Sequence, residues 1–193
     1  MNVKKVILNS IYSFLKLYNR KSDKLIIKKP AGAMGSGADF YSLKATTITG
    51  EPLDFSDFRG KKVMLVNTAS ACGYTAQYSQ LEKLHQQFKS KLVVIGFPSN
   101  DFGKQEPGSN EEISKFCEEV FHVTFPLAEK INVIGGEKHP VYRWLSTKEL
   151  NGWNNMAPAW NFCKYLIDEK GTLKCFFSQK VNPLDPALLE QIT

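Results

Sequence analysis

The chain has 193 residues, with 25 Lys and Arg against 19 Asp and Glu for a net charge of +6. A chain of this length buries roughly 70% of the surface it exposes when unfolded, enough for one sizeable core. With 42% hydrophobic and 23% charged residues, 13 Gly and 9 Pro, it is neither collagen-like, low-complexity nor wholly disordered. The basicity is concentrated at the start. Residues 1–30 hold Lys4, Lys5, Lys16, Arg20, Lys21, Lys24, Lys28 and Lys29 against Asp23, leaving 17 basic and 18 acidic groups in residues 31–193. The body has no polyanion footprint, so no nucleic-acid partner is expected.

In the basic segment, Val6, Ile7, Leu8, Ile11, Phe14, Leu15 and Tyr18 recur at helical spacing, opposite Lys5, Asn9, Ser13, Lys16 and Arg20. That pattern predicts a basic amphipathic helix. Three readings stay open: peripheral membrane contact through residues 1–30, an export leader, or a plain extension. Asn9, Ser10, Ser13 and Lys16 interrupt the apolar stretch and Ala31–Gly32–Ala33 lie far beyond it, which argues against export. No apolar run approaches the roughly 20 residues of a membrane span. Four cysteines, Cys72, Cys117, Cys163 and Cys175, are too sparse for a disulfide scaffold and form no CxxC pair, which fits a reducing compartment such as the cytoplasm.

Gly35–Ser36–Gly37 reads as a linker, dividing the chain into an extension, residues 1–37, and a compact domain, residues 38–193. Asp39 to Leu43 reads as a short strand and Thr49–Gly50–Glu51 as a hairpin turn. Val63 to Asn67 is a continuous apolar run bounded by Gly60–Lys61–Lys62, as expected of a strand buried on both faces. Leu81, Leu84, His85 and Phe88 mark one face of a helix from about Thr75 to Lys89, and Leu92 to Phe97 is a second buried strand, completing a parallel crossover. Ser109 or Asn110 caps a second long helix with Ile113, Phe116 and Cys117 inward, and Pro126 ends that segment. A helix follows His139–Pro140, a hairpin joins Tyr165–Leu166–Ile167 to Leu173 through Phe177, and Asp185–Pro186 starts a terminal helix. The fold class is α/β, a central mixed sheet with flanking helices.

Cys72 falls between the buried strand 63–67 and the helix expected near Thr75. There, backbone N–H groups and the helix dipole lower a thiol pKa from about 8.5 towards the reactive range. The surrounding string, Asn67-Thr-Ala-Ser-Ala-Cys-Gly-Tyr-Thr75, is small enough to leave the sulfur reachable. This string, together with Gly96-Phe-Pro-Ser-Asn-Asp-Phe-Gly-Lys-Gln-Glu-Pro-Gly108 and Trp160-Asn161-Phe162, resembles the three ordered motifs of the glutathione peroxidase family in its cysteine form, over residues 38–193. The resemblance implies a thioredoxin-like fold and a catalytic tetrad of Cys72, Gln105, Trp160 and Asn161.

The chemistry it implies is coherent. A thiolate attacks one peroxide oxygen, and the departing oxyanion is stabilised by neutral donors: two amides and an indole N–H. Cys72 becomes a sulfenic acid. Cys117 matches the resolving position of the family's thioredoxin-dependent members, which implies a Cys72–Cys117 disulfide re-reduced by thioredoxin or a similar dithiol protein, with glutathione as the alternative reductant. The helix around Cys117 is expected to open for this step, since a disulfide needs Cα atoms within about 7 Å. Substrates would be hydrogen peroxide and organic or lipid hydroperoxides, in oxidative-stress defence. The alternative function is a peroxide sensor that passes its oxidation to a partner protein.

Cys163 and Cys175 read as packing residues. His85, His122 and His139 lack metal-site spacing, and no metal or cofactor is expected. Three departures from the family pattern stand out: Asp101 where Gln is common, Ser99 where Cys is common, and Ala159 where a basic residue usually precedes Trp160. The Leu150–Trp160 segment is short and lacks the long loop of tetrameric members, so a monomer is expected.

Overall fold

The computed structural model describes residues 24–33, 35 and 37–193; the amphipathic segment 6–20 lies outside the described residues. Among the described residues there are seven strands: β1 (Ile26–Lys28), β2 (Lys44–Thr46), β3 (Pro52–Asp54), β4 (Lys62–Thr68), β5 (Leu92–Pro98), β6 (Lys164–Ile167) and β7 (Leu173–Phe177). The helices are α1 (Gln77–Phe88), α2 (Asn110–Phe121), α3 (Pro140–Leu145), α4 (Lys148–Asn151) and α5 (Pro186–Leu189), with 3-10 turns at Phe40–Ser42 and Phe55–Phe58.

Five strands form one sheet in the order β1-β7-β6-β4-β5, and β2 and β3 form a separate hairpin about Gly50, whose φ of 91° suits glycine. β4 and β5 are parallel, while β6 runs antiparallel to β4 and to β7. The mixed sheet with its β4-α1-β5 crossover is the thioredoxin-like arrangement. Alternation along the central strands builds a core on each face. Val63, Leu65 and Ile95 pack with Phe40, Trp144 and Tyr165. Met64, Val66 and Val94 pack with Tyr78, Leu81, Leu84, Ile113 and Cys117, under α1 and α2.

Local chemistry sets the element ends. α2 opens on a capping box: Ser109 Oγ accepts from Glu112 N and the Glu112 carboxylate accepts from Ser109 N. Asp39 through Leu43, expected as a strand, is instead a 3-10 turn, because the Asp39 carboxylate accepts from Tyr41 N at 3.0 Å and stabilises a turn over extended pairing. Ahead of residue 38, β1 pairs antiparallel with β7, Ile26 opposite Phe177, and Lys24 forms an ion pair with Asp185 at 2.6 Å. Two isoleucines among lysines carry too little periodicity to announce such an edge strand.

The parallel strands β4 and β5 end on the same side, and β6 begins there. β4 is where the sheet changes direction of winding, the position at which α/β sheets leave a crevice outside their carboxyl ends. Ser99 N donates to Thr68 O at 3.0 Å and Phe162 N to Asn67 O at 2.6 Å, so three loops converge on the end of β4.

Candidate active site

Cys72 lies four residues past β4, half-buried, in a series of turns that precedes α1. The helix begins at Gln77, two residues later than its sequence periodicity predicts, so the nearest donor is a turn amide: Tyr74 N–H points at Cys72 Sγ with N···S 3.5 Å. Thr75 secures this turn. Its hydroxyl lies 2.8 Å from Cys72 O and 2.9 Å from Ala69 O and accepts from Cys72 N at 3.0 Å. Cys72 and Tyr74 both rest against the core on the α1–α2 face, while Ala71 and Gly73 are exposed. The Cys72 turn is therefore held by backbone geometry, with an exposed residue on either side of the cysteine.

Gln105 is brought to this turn through its main chain, its carbonyl accepting from Ala71 N at 3.0 Å. Positive φ values at Gly103 (62°) and Lys104 (55°) make the sharp reversal that allows it. The rest of the loop is tied down by Glu106 N donating to Asn100 Oδ1 at 2.9 Å and by Lys130 Nζ donating to the carbonyls of Glu106 and Gly108. Asn161, fully buried, donates from Nδ2 to Gln105 Oε1 at 3.0 Å. That bond orients the Gln105 amide and occupies its oxygen.

Trp160 is half-buried, with its ring against Phe102 at a centroid separation of 5.8 Å. Its carbonyl accepts from Asn67 Nδ2 at 2.9 Å. Asn67, the polar residue near the end of an otherwise apolar strand, thus clamps the Trp160–Phe162 loop from both its amide and its carbonyl. The sequence signal was present, a buried-strand asparagine, yet it marked only the motif's first letter.

Cys117 is buried in α2, 1% exposed, in the same core against which Cys72 rests. Burial pushes its thiol up to about 11, outweighing the Tyr78 hydroxyl beside it. A groove of about 370 Å³ between α2 and the segment His122–Leu127 has Cys117 in its wall. Cys163 and Cys175 are likewise buried, and burial raises both thiols, Cys175 to about 11. The Asp101 carboxylate ties down a neighbouring loop: its Oδ2 accepts from Val133 N at 2.6 Å and Ile134 N at 3.1 Å. Among the described residues no group of three His, Cys, Asp or Glu could hold a metal ion.

Sequence reading did not single out Glu106 and Lys164. Glu106 is fully buried beside Ser70, and burial raises its carboxyl pKa. Lys164 is fully buried and is held down to about 7 by the loss of hydration.

A half-buried thiol just past the end of a central parallel strand, in a turn bonded to the Gln105 loop of a thioredoxin-like sheet, is a candidate site for thiol chemistry. Comparison narrows the class. The profile of the glutathione peroxidase family matches residues 40–146. The chain is 44% identical over 146 residues to the glutathione peroxidase-like peroxiredoxin GPX5 of Chlamydomonas reinhardtii, covering 75% of this chain and 90% of the relative. The apo crystal structure of Trgpx superposes with a TM-score of 0.62 at 34% identity, over 81% of this chain and 97% of that one. A thioredoxin-family thiol:disulfide interchange protein from Chlorobium tepidum shares the fold alone, at TM-score 0.59, 13% identity and coverage of 84% and 99%. The chain belongs to the glutathione peroxidase family and is a thiol peroxidase.

Proposed function

We propose that this peroxidase works through two cysteines, with Cys72 as the peroxide-reacting thiol, Gln105, Trp160 and Asn161 as donors to the leaving oxygen, and Cys117 as the resolving thiol. The Cys72 thiolate attacks one oxygen of the hydroperoxide, the O–O bond breaks, and the product alkoxide leaves, taking a proton from solvent to become the alcohol or water. Cys72 is left as a sulfenic acid. Cys117, once deprotonated, attacks that sulfur, releasing water and forming the disulfide, and two thiol exchanges with thioredoxin or a similar dithiol protein restore both thiols.

The observation that carries this reading is the coupling of one exposed cysteine turn to the neutral amide pair, through Ala71 N to Gln105 O and Asn161 Nδ2 to Gln105 Oε1. Neutral donors stabilise a developing oxyanion without neutralising the thiolate nucleophile. The high pKa and burial of Cys117 keep it protonated and inert until α2 opens locally, so resolution waits on that opening. Exposed Ala71 and Gly73 beside the sulfur leave room for bulky organic and lipid hydroperoxides as well as hydrogen peroxide. We further propose a monomer, and contact of residues 1–30 with anionic lipid.

The test is one equivalent of hydrogen peroxide added to the fully reduced chain, followed by peptide mass spectrometry. A Cys72–Cys117 disulfide is expected, and in Cys117→Ser a Cys72 sulfenic acid that dimedone traps. A stable sulfenic acid in the unsubstituted chain would remove Cys117 from the cycle. Light scattering tests the monomer, and co-sedimentation with phosphatidylserine vesicles, lost on deleting residues 1–23, a truncation that leaves β1 in the sheet, tests the lipid contact.

A further inference from the structure

Lys164 is the first residue of β6, opposite Val66 of β4 and Phe177 of β7, and it has no solvent exposure. Among the described residues no carboxylate pairs with it. Its Nζ donates instead to two main-chain carbonyls, Phe162 O at 2.9 Å and Val181 O at 2.7 Å. Burying a lysine without a counter-charge is unfavourable, and an apolar side chain would fill the space at lower cost. What the amine supplies here is a pair of donors, and even the neutral amine retains two N–H bonds to match the two acceptors.

Both acceptors lead to the site. Phe162 holds a left-handed φ of 66°, a conformation a bulky residue keeps only where its surroundings over-determine it. Its N–H is taken by Asn67 O at 2.6 Å, its C=O by Lys164, and its ring packs edge-on to Tyr78 at 5.4 Å. This locked residue directly follows Trp160 and Asn161, so its backbone sets where their side chains emerge. The second acceptor, Val181, belongs to the Ser178–Val181 turn, closed by Val181 N to Ser178 O at 3.0 Å. Gln179 O in that turn accepts from Gln77 Nε2 at 2.7 Å, and Gln77 is the first residue of α1, five residues after Cys72. A buried polar bridge therefore runs from the Trp160–Phe162 loop through Lys164 and the 178–181 turn to the helix behind the thiol.

We infer that Lys164 is a positioning residue for peroxide reduction: through Phe162 O and Val181 O it fixes the Trp160–Asn161 loop relative to the Cys72 turn. The inference rests on the reading of Asn161 as a donor to the leaving oxygen. Misplacing a donor by about 1 Å costs up to a hundredfold in rate, and the thiolate itself would be untouched.

The experiment measures two second-order rates on the full, reduced chain: Cys72 oxidation by hydrogen peroxide in stopped flow, and Cys72 alkylation by iodoacetamide at the same pH. Lys164→Met keeps side-chain length and removes the donors, and Gln77→Met cuts the same bridge at its other end. In Lys164→Met the peroxide rate is expected to fall roughly tenfold to a hundredfold while alkylation changes less than about threefold, with a smaller fall of the same kind in Gln77→Met. Asn161→Ala is the control. If it slows peroxide reduction and Lys164→Met does not, the inference is overturned and the site reading stands. If Asn161→Ala changes nothing, the site reading itself has failed. Should Lys164→Met not fold, Gln77→Met decides: an unchanged peroxide rate overturns the inference, and a peroxide-specific fall supports it.

Discussion

Replacing Asn161 by Ala should remove far more activity than stability. Asn161 makes one side-chain hydrogen bond, from Nδ2 to Gln105 Oε1 at 3.0 Å, and its own Oδ1 is buried without a partner. Losing one such bond beside a half-buried Gln105 costs roughly 0.5–1.5 kcal/mol of stability, and truncating a side chain that already carries an unpaired acceptor offsets part of that. The kinetic loss is larger for two reasons. On the proposed mechanism one oxyanion donor disappears, worth roughly 2.7–4 kcal/mol or about 10²–10³ in rate. The Gln105 amide also loses the bond that fixes its orientation, so its N–H donors no longer face the substrate predictably. Asn161→Ala and Gln105→Ala should therefore not multiply: the double substitution should be slower than either single one by less than about tenfold, where independent donors would give about 10⁴–10⁶ in total. Stopped-flow peroxide reduction on the four forms, with urea unfolding in parallel, measures both terms. A fully multiplicative double variant, or an Asn161→Ala rate within about fivefold of the parent, would refute the coupled amide pair.

Three further outcomes follow from the same structure. Iodoacetamide on the reduced, folded chain should label Cys72 first and Cys117 more than about 100-fold more slowly, given a buried thiol held near 11; comparable labelling seen by mass spectrometry would contradict the protected thiol. Lys164, held down to about 7 when folded against an ordinary 10.5, binds its proton more readily in the unfolded chain. The parent should therefore gain on the order of a few kcal/mol of stability as pH rises from 7 towards 10, and Lys164→Met should lack that gain. Taking the difference between the two forms cancels the opposite trend above pH 9 from buried Cys117 and Cys175, whose raised pKa values favour the folded state below that pH; equal slopes would mean the ammonium is as well solvated folded as unfolded. Gly96→Ala would put a Cβ 2.6 Å from Leu127 Cδ2 and 3.3 Å from Phe125 Cε2, so urea denaturation should show a loss of about 1–3 kcal/mol, and no loss would mean that Leu127 moves aside freely.

Much of this architecture is legible in the residues. β4 and β5 are continuous apolar runs because both faces of the central sheet are covered, and α2 announces itself through Ser109 and Glu112. The edge is not legible: β1 is three residues whose pairing with β7 depends on a strand about 150 positions away. The Asp39–Leu43 turn misreads as a strand because aromatic and leucine residues suit both, and only the carboxylate contact with Tyr41 N decides. At the site, Cys72 and the motif residues are visible as sequence. What joins them is not, since the bonds from Asn67 to Trp160 and from Lys164 to Phe162 and Val181 depend on backbone carbonyls that carry no sequence signature.

The most direct test of the two-cysteine account is peroxide-dependent NADPH consumption, with thioredoxin and its reductase or with glutathione and its reductase, for the parent chain, Cys72→Ser and Cys117→Ser. The account predicts turnover with thioredoxin that both substitutions abolish. Glutathione-supported turnover that survives in Cys117→Ser would contradict it and leave a one-cysteine peroxidase in its place.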